Sequence, residues 1–187
     1  MNELPQRKRN RLPGYDYRQN GAYFITICAK DRHEIFEEII ANPDTGAGVG
    51  DAGVGADAHI GPQIKLTPYG KTVERHLQHI PGLEKYVIMP NHIHMIIAIY
   101  DTMENGPMQA SSPTQGISQR VRSFKTMVTK ELGFSAFQRS FYDHIIRDDA
   151  EYEQIWQYIE NNPAKWEEDR FYNAPEKSVD THRHSLL

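Results

Sequence analysis

The stretch YVIMPNHIHMIIAIY, residues 86–100, sets two histidines into an otherwise aliphatic run. Residues 85–89 (KYVIM) read as one strand, Pro90 and Asn91 as a tight turn, and residues 92–100 as the returning strand of a hairpin. Side chains alternate along a strand with period two. His92 and His94 therefore share a face with Ile96 and Ala98, while Ile93, Met95, Ile97 and Ile99 take the other. The unbroken aliphatic face suits a covering layer of helices. The two histidines, with Cβ atoms about 6–7 Å apart, can chelate one metal ion or hydrogen-bond as a structural pair. The strand pattern leaves both open. A second His-x-His, His182 and His184, lies in a polar tail with no strand around it and carries no such expectation.

Outward from the hairpin, residues 21–30 (GAYFITICAK) are rich in β-branched and aromatic residues and predict a first strand. Residues 41–63 are heavy in Gly, Ala and Asp and predict a flexible insertion. Val73, Leu77 and Ile80 recur at helical spacing within 67–80, which Pro81 and Gly82 close. Ile117, Val121, Phe124 and Val128 form one stripe of a helix over 117–132, ended by Gly133. Residues 140–147 (SFYDHIIR) predict a fourth strand, and 148–162 a final helix with acids at its start and Pro163 beyond its end.

The order β-α-β-β-α-β plus one helix predicts an α+β fold. It is the ferredoxin-like split β-α-β pattern: an antiparallel four-stranded sheet with two helices on one face. The added C-terminal helix is free to cover the other face. The 187 residues suit one domain with a basic arm over 1–20, the insertion at 41–63 and a loose tail over 174–187.

Net charge is −4, yet the charges are segregated. Arg7, Lys8, Arg9, Arg11 and Arg18 crowd the first 18 residues, and residues 105–130 hold Arg120, Arg122, Lys125 and Lys130 without an acid. Such patches can bind a polyanion locally at negative net charge, or can be solvated faces. Cys28 is the one cysteine, which excludes an internal disulfide and suits a reducing cytoplasm. No apolar run reaches the roughly 18 residues that a membrane span needs.

On the final helix Tyr152, Ile155, Trp156 and Ile159 form the packing stripe. Tyr158 lies off it, roughly 110° from its centre at about 100° per residue. Asn162 stands one turn further on the same side. A phenol and an amide thus sit beside the buried stripe, or are simply half-exposed polar residues near a helix end.

MPNHIH with its following aliphatics, SFK in the next helix, YDHIIR and YIENNPAKW together resemble the single-tyrosine HUH transposases. The closest likeness is to their REP-associated tyrosine transposase branch, which RLPGYDYRQNGAYFITIC also resembles. The likeness spans about residues 9–170, apart from the 41–63 insertion. It implies single-strand DNA cleavage with Tyr158 as nucleophile, His92 and His94 as metal ligands, and Asn162 at the third ligand's place. Insertion-sequence members usually carry Gln there, whereas the REP-associated branch resembles this chain in having Asn. The link it implies is to the 5′ end of the DNA, and the branch implies a monomer where insertion-sequence relatives are dimers.

A nitrogen and oxygen ligand set with open positions suits Mg²⁺ or Mn²⁺ better than Zn²⁺. A phenol with pKa near 10 needs a nearby cation or base before it attacks phosphorus. The expected partner is single-stranded or hairpin DNA, with Arg120 and Lys130 on backbone phosphates beside Arg122 and Lys125, the arm residues Arg7, Lys8, Arg9 and Arg11 along the strand, and Tyr15 and Tyr17 stacking on bases. The alternatives are a hairpin-binding protein that does not cut, and a ferredoxin-like RNA-binding module. The RNA module needs exposed aromatics where the central strand here shows His, His, Ile and Ala.

Overall fold

The computed structural model describes Leu12 and residues 14–40, 63–100 and 115–172. In chain order the elements are β1 (Gly21–Cys28), β2 (Glu37–Ile40), β3 (Gln63–Leu66), α1 (Pro68–Leu77), β4 (Leu83–Met89), β5 (His92–Ile99), α2 (Ile117–Leu132), β6 (Tyr142–Ile146) and α3 (Asp149–Asn161). Short 3₁₀ segments follow β1 (Lys30–Arg32) and α3 (Pro163–Glu168).

Four strands form an antiparallel sheet in the order β4-β5-β1-β6. This is the ferredoxin-like α+β arrangement that the element order predicts. Alternation on β5 sorts two cores. Ile93, Met95, Ile97 and Ile99 join Val73 and Leu77 of α1 and Val121, Phe124 and Val128 of α2. Ile96 on the opposite face packs with Ile159 of α3, flanked by Tyr152, Ile155 and Trp156. All eight β5 residues are buried, because helices cover both faces of that central strand.

Local chemistry places the helices. Thr67 caps α1 by accepting from the Gly70 amide at 3.0 Å, with Pro68 in the first turn. Gly133 ends α2 in the left-handed conformation at φ 77°. Asp148 caps α3 by accepting from the Glu151 amide at 2.8 Å. The Glu151 carboxylate in turn accepts from the Arg147 amide and meets His144 Nε2 at 2.6 Å. His144 and Arg147 of the YDHIIR stretch therefore tie β6 to the start of α3.

One pairing was absent from the sequence expectation. β2 and β3 form a two-stranded ribbon, Glu37 opposite Leu66 through Ile40 opposite Gln63, at the two ends of the Gly-rich segment. Gln63, read as the last residue of the insertion, belongs to β3. The rest of the insertion, the arm residues Arg7, Lys8, Arg9 and Arg11, and the tail over 174–187 lie outside the described residues. Among the described residues no helix is long and apolar enough to cross a membrane.

Candidate active site

His92 and His94 stand on the α3 face of β5, both buried. Their Nε2 atoms lie 3.0 Å apart. Each ring is fixed from behind. His92 Nδ1 is 2.9 Å from Asn91 Oδ1, and Asn91 Nδ2 donates to the Phe171 carbonyl at 2.7 Å. Because that amide nitrogen must face a carbonyl, its oxygen faces His92, so Nδ1 carries the proton and Nε2 presents a lone pair. His94 Nδ1 is 2.9 Å from the hydroxyl of Thr26, its neighbour on β1. A hydroxyl donates or accepts, so His94 can hold its proton on either nitrogen. With the proton on Nε2 it bonds to His92. With the proton on Nδ1, both lone pairs converge, as a shared cation requires.

α3 brings the tyrosine. Its stripe buries Ile159 and leaves Tyr158, off the stripe, 43% exposed. The Tyr158 hydroxyl lies 3.2 Å from His94 Nε2 and donates to Asp169 Oδ2 at 3.3 Å. Asn162 caps the end of α3, is buried, and donates through Nδ2 to the same Asp169 oxygen at 3.2 Å. Its Oδ1 has no hydrogen-bond partner. A buried amide oxygen without a donor is unusual and suits a cation. His92, His94, Tyr158 and Asn162 are thus brought together.

Asp169 is the residue that sequence reasoning missed. Its carboxylate and ring nitrogens of His92 and His94 all lie within 4.8 Å of one another, the only such three-residue group among the described residues. The chain returns to the histidines after Pro163 because Trp166 and Phe171 pack on the His92 ring, at 5.9 and 4.6 Å between centroids. These two aromatics, flanking the acids of the WEEDRF run, were the available signal.

Burial sets the protonation states. It holds His92 down to about 4 and His94 well below its ordinary value, so both rings are neutral at neutral pH. Burial and then the Asp169 charge push the Tyr158 phenol above its usual value. The phenol is therefore protonated at neutral pH, and its hydroxyl donates to Asp169. The histidines also predict a pH effect on metal-free protein. Between pH 6.5 and about 4 the unfolded chain takes up a His92 proton that the folded chain refuses. Stability should be flat in this term above 6.5 and fall by up to about 3 kcal/mol as pH drops towards 4. Urea titrations in chelator across that window measure it, with a shallower slope in His92→Gln.

The basic residues separate into two kinds. Arg120 donates to the carbonyls of Gln115, Pro81 and Ala98, at 2.8, 2.6 and 3.1 Å. Lys125 donates to the Gln138 and Ser140 carbonyls at 2.9 and 3.0 Å, and burial lowers its pKa to about 8. Arg122 and Lys130 are exposed on α2. Tyr15 and Tyr17 are half-buried and pack against the main core and each other, at 5.0 Å between rings.

The chain combines a ferredoxin-like sheet carrying His-x-His on a central strand with a tyrosine presented to it by a C-terminal helix. No family model matches the chain. An uncharacterized protein of Haemophilus influenzae is 36% identical over 191 residues, covering 90% of this chain and 94% of its own length. The chain belongs to the same family as that protein. A second Haemophilus influenzae protein, named "Putative REP-associated tyrosine transposase", is 24% identical over 155 residues, covering 80% of this chain and 74% of its own. The solved structure of a REP-associated tyrosine transposase bound to a REP hairpin shares the fold, with a TM-score of 0.51 at 17% identity over 89% of this chain and 74% of that one.

Proposed function

We propose that the protein is a metal-dependent enzyme that nicks and rejoins single-stranded DNA at hairpin-forming repeats, through a covalent 5′-phosphotyrosine link. The observation that carries this reading is the meeting of two groups at His94 Nε2: the His92 ring at 3.0 Å and the Tyr158 hydroxyl at 3.2 Å. The relative bound to a REP hairpin supports the choice of substrate.

His92 and His94 would hold Mg²⁺ or Mn²⁺, with Asp169 and Asn162 as candidates for the third ligand. The two Nε2 atoms, 3.0 Å apart, would both face the ion. When bound, such an ion polarises the phosphodiester and offsets charge in the transition state.

The chain's own groups do the remaining work. Tyr158 Oη forms a bond to phosphorus as its proton passes to Asp169. The bond from phosphorus to the 3′ oxygen breaks, and that oxygen leaves with the electron pair and takes a proton from solvent. A 3′ hydroxyl attacking the phosphotyrosine reverses these steps and joins the strands. Asn91 and Thr26 hold the two rings in place throughout. The site is complete within one chain, which favours a monomer, and the lone cysteine suits a reducing cytoplasm.

Exposed Arg122 and Lys130 of α2, with the N-terminal arm, form the DNA surface in this reading. Arg122→Ala and Lys130→Ala should each weaken hairpin binding and flatten its salt dependence by roughly 0.7–0.9 of a slope unit. Arg120→Ala should instead lower stability by about 1–3 kcal/mol, because the buried Ala98 carbonyl loses its guanidinium partner. Equal salt slopes in all three variants and the parent would remove α2 from the DNA surface.

The reading as a whole is tested by incubating the protein with a labelled hairpin oligonucleotide carrying an unpaired tail. A band shifted on denaturing gel, formed with Mg²⁺ or Mn²⁺ and absent in chelator, is expected. A bound but uncut oligonucleotide under all metal conditions would leave a hairpin-binding protein without nicking activity.

A further inference from the structure

A cavity of about 330 Å³ has Phe171, which packs on the His92 ring, in its wall. Thr26, Cys28, Arg32, Tyr142, Arg170 and Phe171 contribute to its walls, and no acidic residue lines it. That volume is at the lower end of the roughly 300–1,000 Å³ usual for ligand pockets. Two guanidiniums share one aromatic ring at its edge: Arg170 Cζ lies 4.5 Å and Arg32 Cζ 5.2 Å from the Phe171 centroid. Arg170 also stands 5.8 Å over the ring of Tyr142, which is 44% exposed. The chain reaches this cavity through Asp31 and Arg32, consecutive non-glycine residues at φ 55° and 57°. Such conformations cost energy and collect at functional sites.

The sheet register ties this cavity to the candidate active site. Thr26 pairs with His94 on one side and with Tyr142 on the other. Residues directly opposite in neighbouring strands project to the same face. Tyr142, Thr26 and His94 therefore form one row, and the Tyr142 ring rises two strand spacings, about 10 Å, from the histidine. Phe171 lines the cavity and also packs on His92, at 4.6 Å between ring centroids.

An exposed aromatic face beside two guanidiniums has the chemistry of a single-stranded nucleotide site, in which the base stacks and the phosphate pairs with guanidinium. Resting on the nicking reading, we propose that this cavity holds one unpaired nucleotide next to the cleaved phosphate. Its base lies on Tyr142 and its backbone phosphate between Arg32 and Arg170. Tyr142 is then a base platform that sets where the strand is cut, while Tyr158 is the nucleophile.

The test measures binding in the Tyr158→Phe background, so that it does not depend on cleavage. Fluorescence anisotropy follows a hairpin DNA with an unpaired tail, and a set in which each tail position in turn is abasic. Arg32→Ala and Arg170→Ala should each weaken binding about tenfold and lower the salt slope by about 0.7. Arg170→Lys should recover the slope and only part of the affinity. Tyr142→Ala should weaken binding by roughly tenfold and erase the penalty that one abasic position imposes on the parent. Folded variants, by thermal melt and near-ultraviolet circular dichroism, that bind like the parent would overturn the proposal, as would an abasic penalty that persists in Tyr142→Ala. The adduct assay on the unmodified Tyr158 background separates the two readings. The binding signatures without any adduct would sustain the nucleotide site and defeat nicking. Normal adduct with unchanged binding in every variant would do the reverse.

Discussion

Tyr158→Phe is expected to abolish the covalent DNA adduct while leaving the protein folded and able to bind hairpin DNA. The side chain is 43% exposed, and its hydroxyl makes two long contacts, 3.2 Å to His94 and 3.3 Å to Asp169. Losing them costs at most about 1 kcal/mol of stability, since a typical hydrogen bond contributes about that much net. The ring remains, and with it the edge contact to Phe24 at 6.1 Å. What disappears is the atom proposed to bond to phosphorus, so no adduct should be seen above background. Tyr152→Phe is the control. Its hydroxyl donates to Glu84 at 2.7 Å, on the packing side of α3 and away from the histidines. That variant should lose about 1 kcal/mol and keep full adduct formation. Adduct from Tyr158→Phe at the parent level would remove Tyr158 from the chemistry.

The second large effect falls on the metal. His92→Ala and His94→Ala should each reduce Mn²⁺ affinity at the site by at least about 100-fold, because the two ring nitrogens are the main fixed donors of the proposed site. Both side chains are buried, so each substitution should also cost about 2–4 kcal/mol through the cavity and the stranded hydrogen-bond partner. Stability and affinity must therefore be measured separately. Anomalous scattering from Mn²⁺-soaked crystals of the parent should place an ion within ligand distance of both Nε2 atoms. The same map assigns the third position. The Asp169 carboxylate is the stronger ligand by charge, whereas the unpartnered Asn162 Oδ1 is already desolvated. Asp169→Asn and Asn162→Ala test the two independently, and Mn²⁺ bound elsewhere with both rings bonded only to protein groups would defeat the site.

The parts of this site that could be read from the sequence are those governed by local periodicity. Alternation on β5 separates His92 and His94 from Ile93, Met95, Ile97 and Ile99, and the structure keeps that division between two cores. Helical spacing on α3 sets Tyr158 apart from Tyr152, Ile155, Trp156 and Ile159 in the same way. Three features had no such signal. β2 and β3 are four residues each and pair across the Gly-rich segment, so their partnership is a long-range fact that neither segment declares. Asp169 follows a proline-started 3₁₀ turn with no apolar period, and only the packing of Trp166 and Phe171 on His92 returns it to the site. Arg120 sits on the acid-free face of a basic helix, where the sequence does not distinguish a guanidinium that binds phosphate from one that ties down three carbonyls.

Mass-spectrometric mapping of the adduct tests the central claim most directly. The parent protein is incubated with the hairpin substrate and Mn²⁺, digested with protease and nuclease, and the modified peptide is sequenced. The expected result is a nucleotide attached through its 5′ phosphate to Tyr158, within the α3 peptide that precedes Asn162. A nucleotide on Tyr142 or Tyr152, or linkage through a 3′ phosphate, would contradict it.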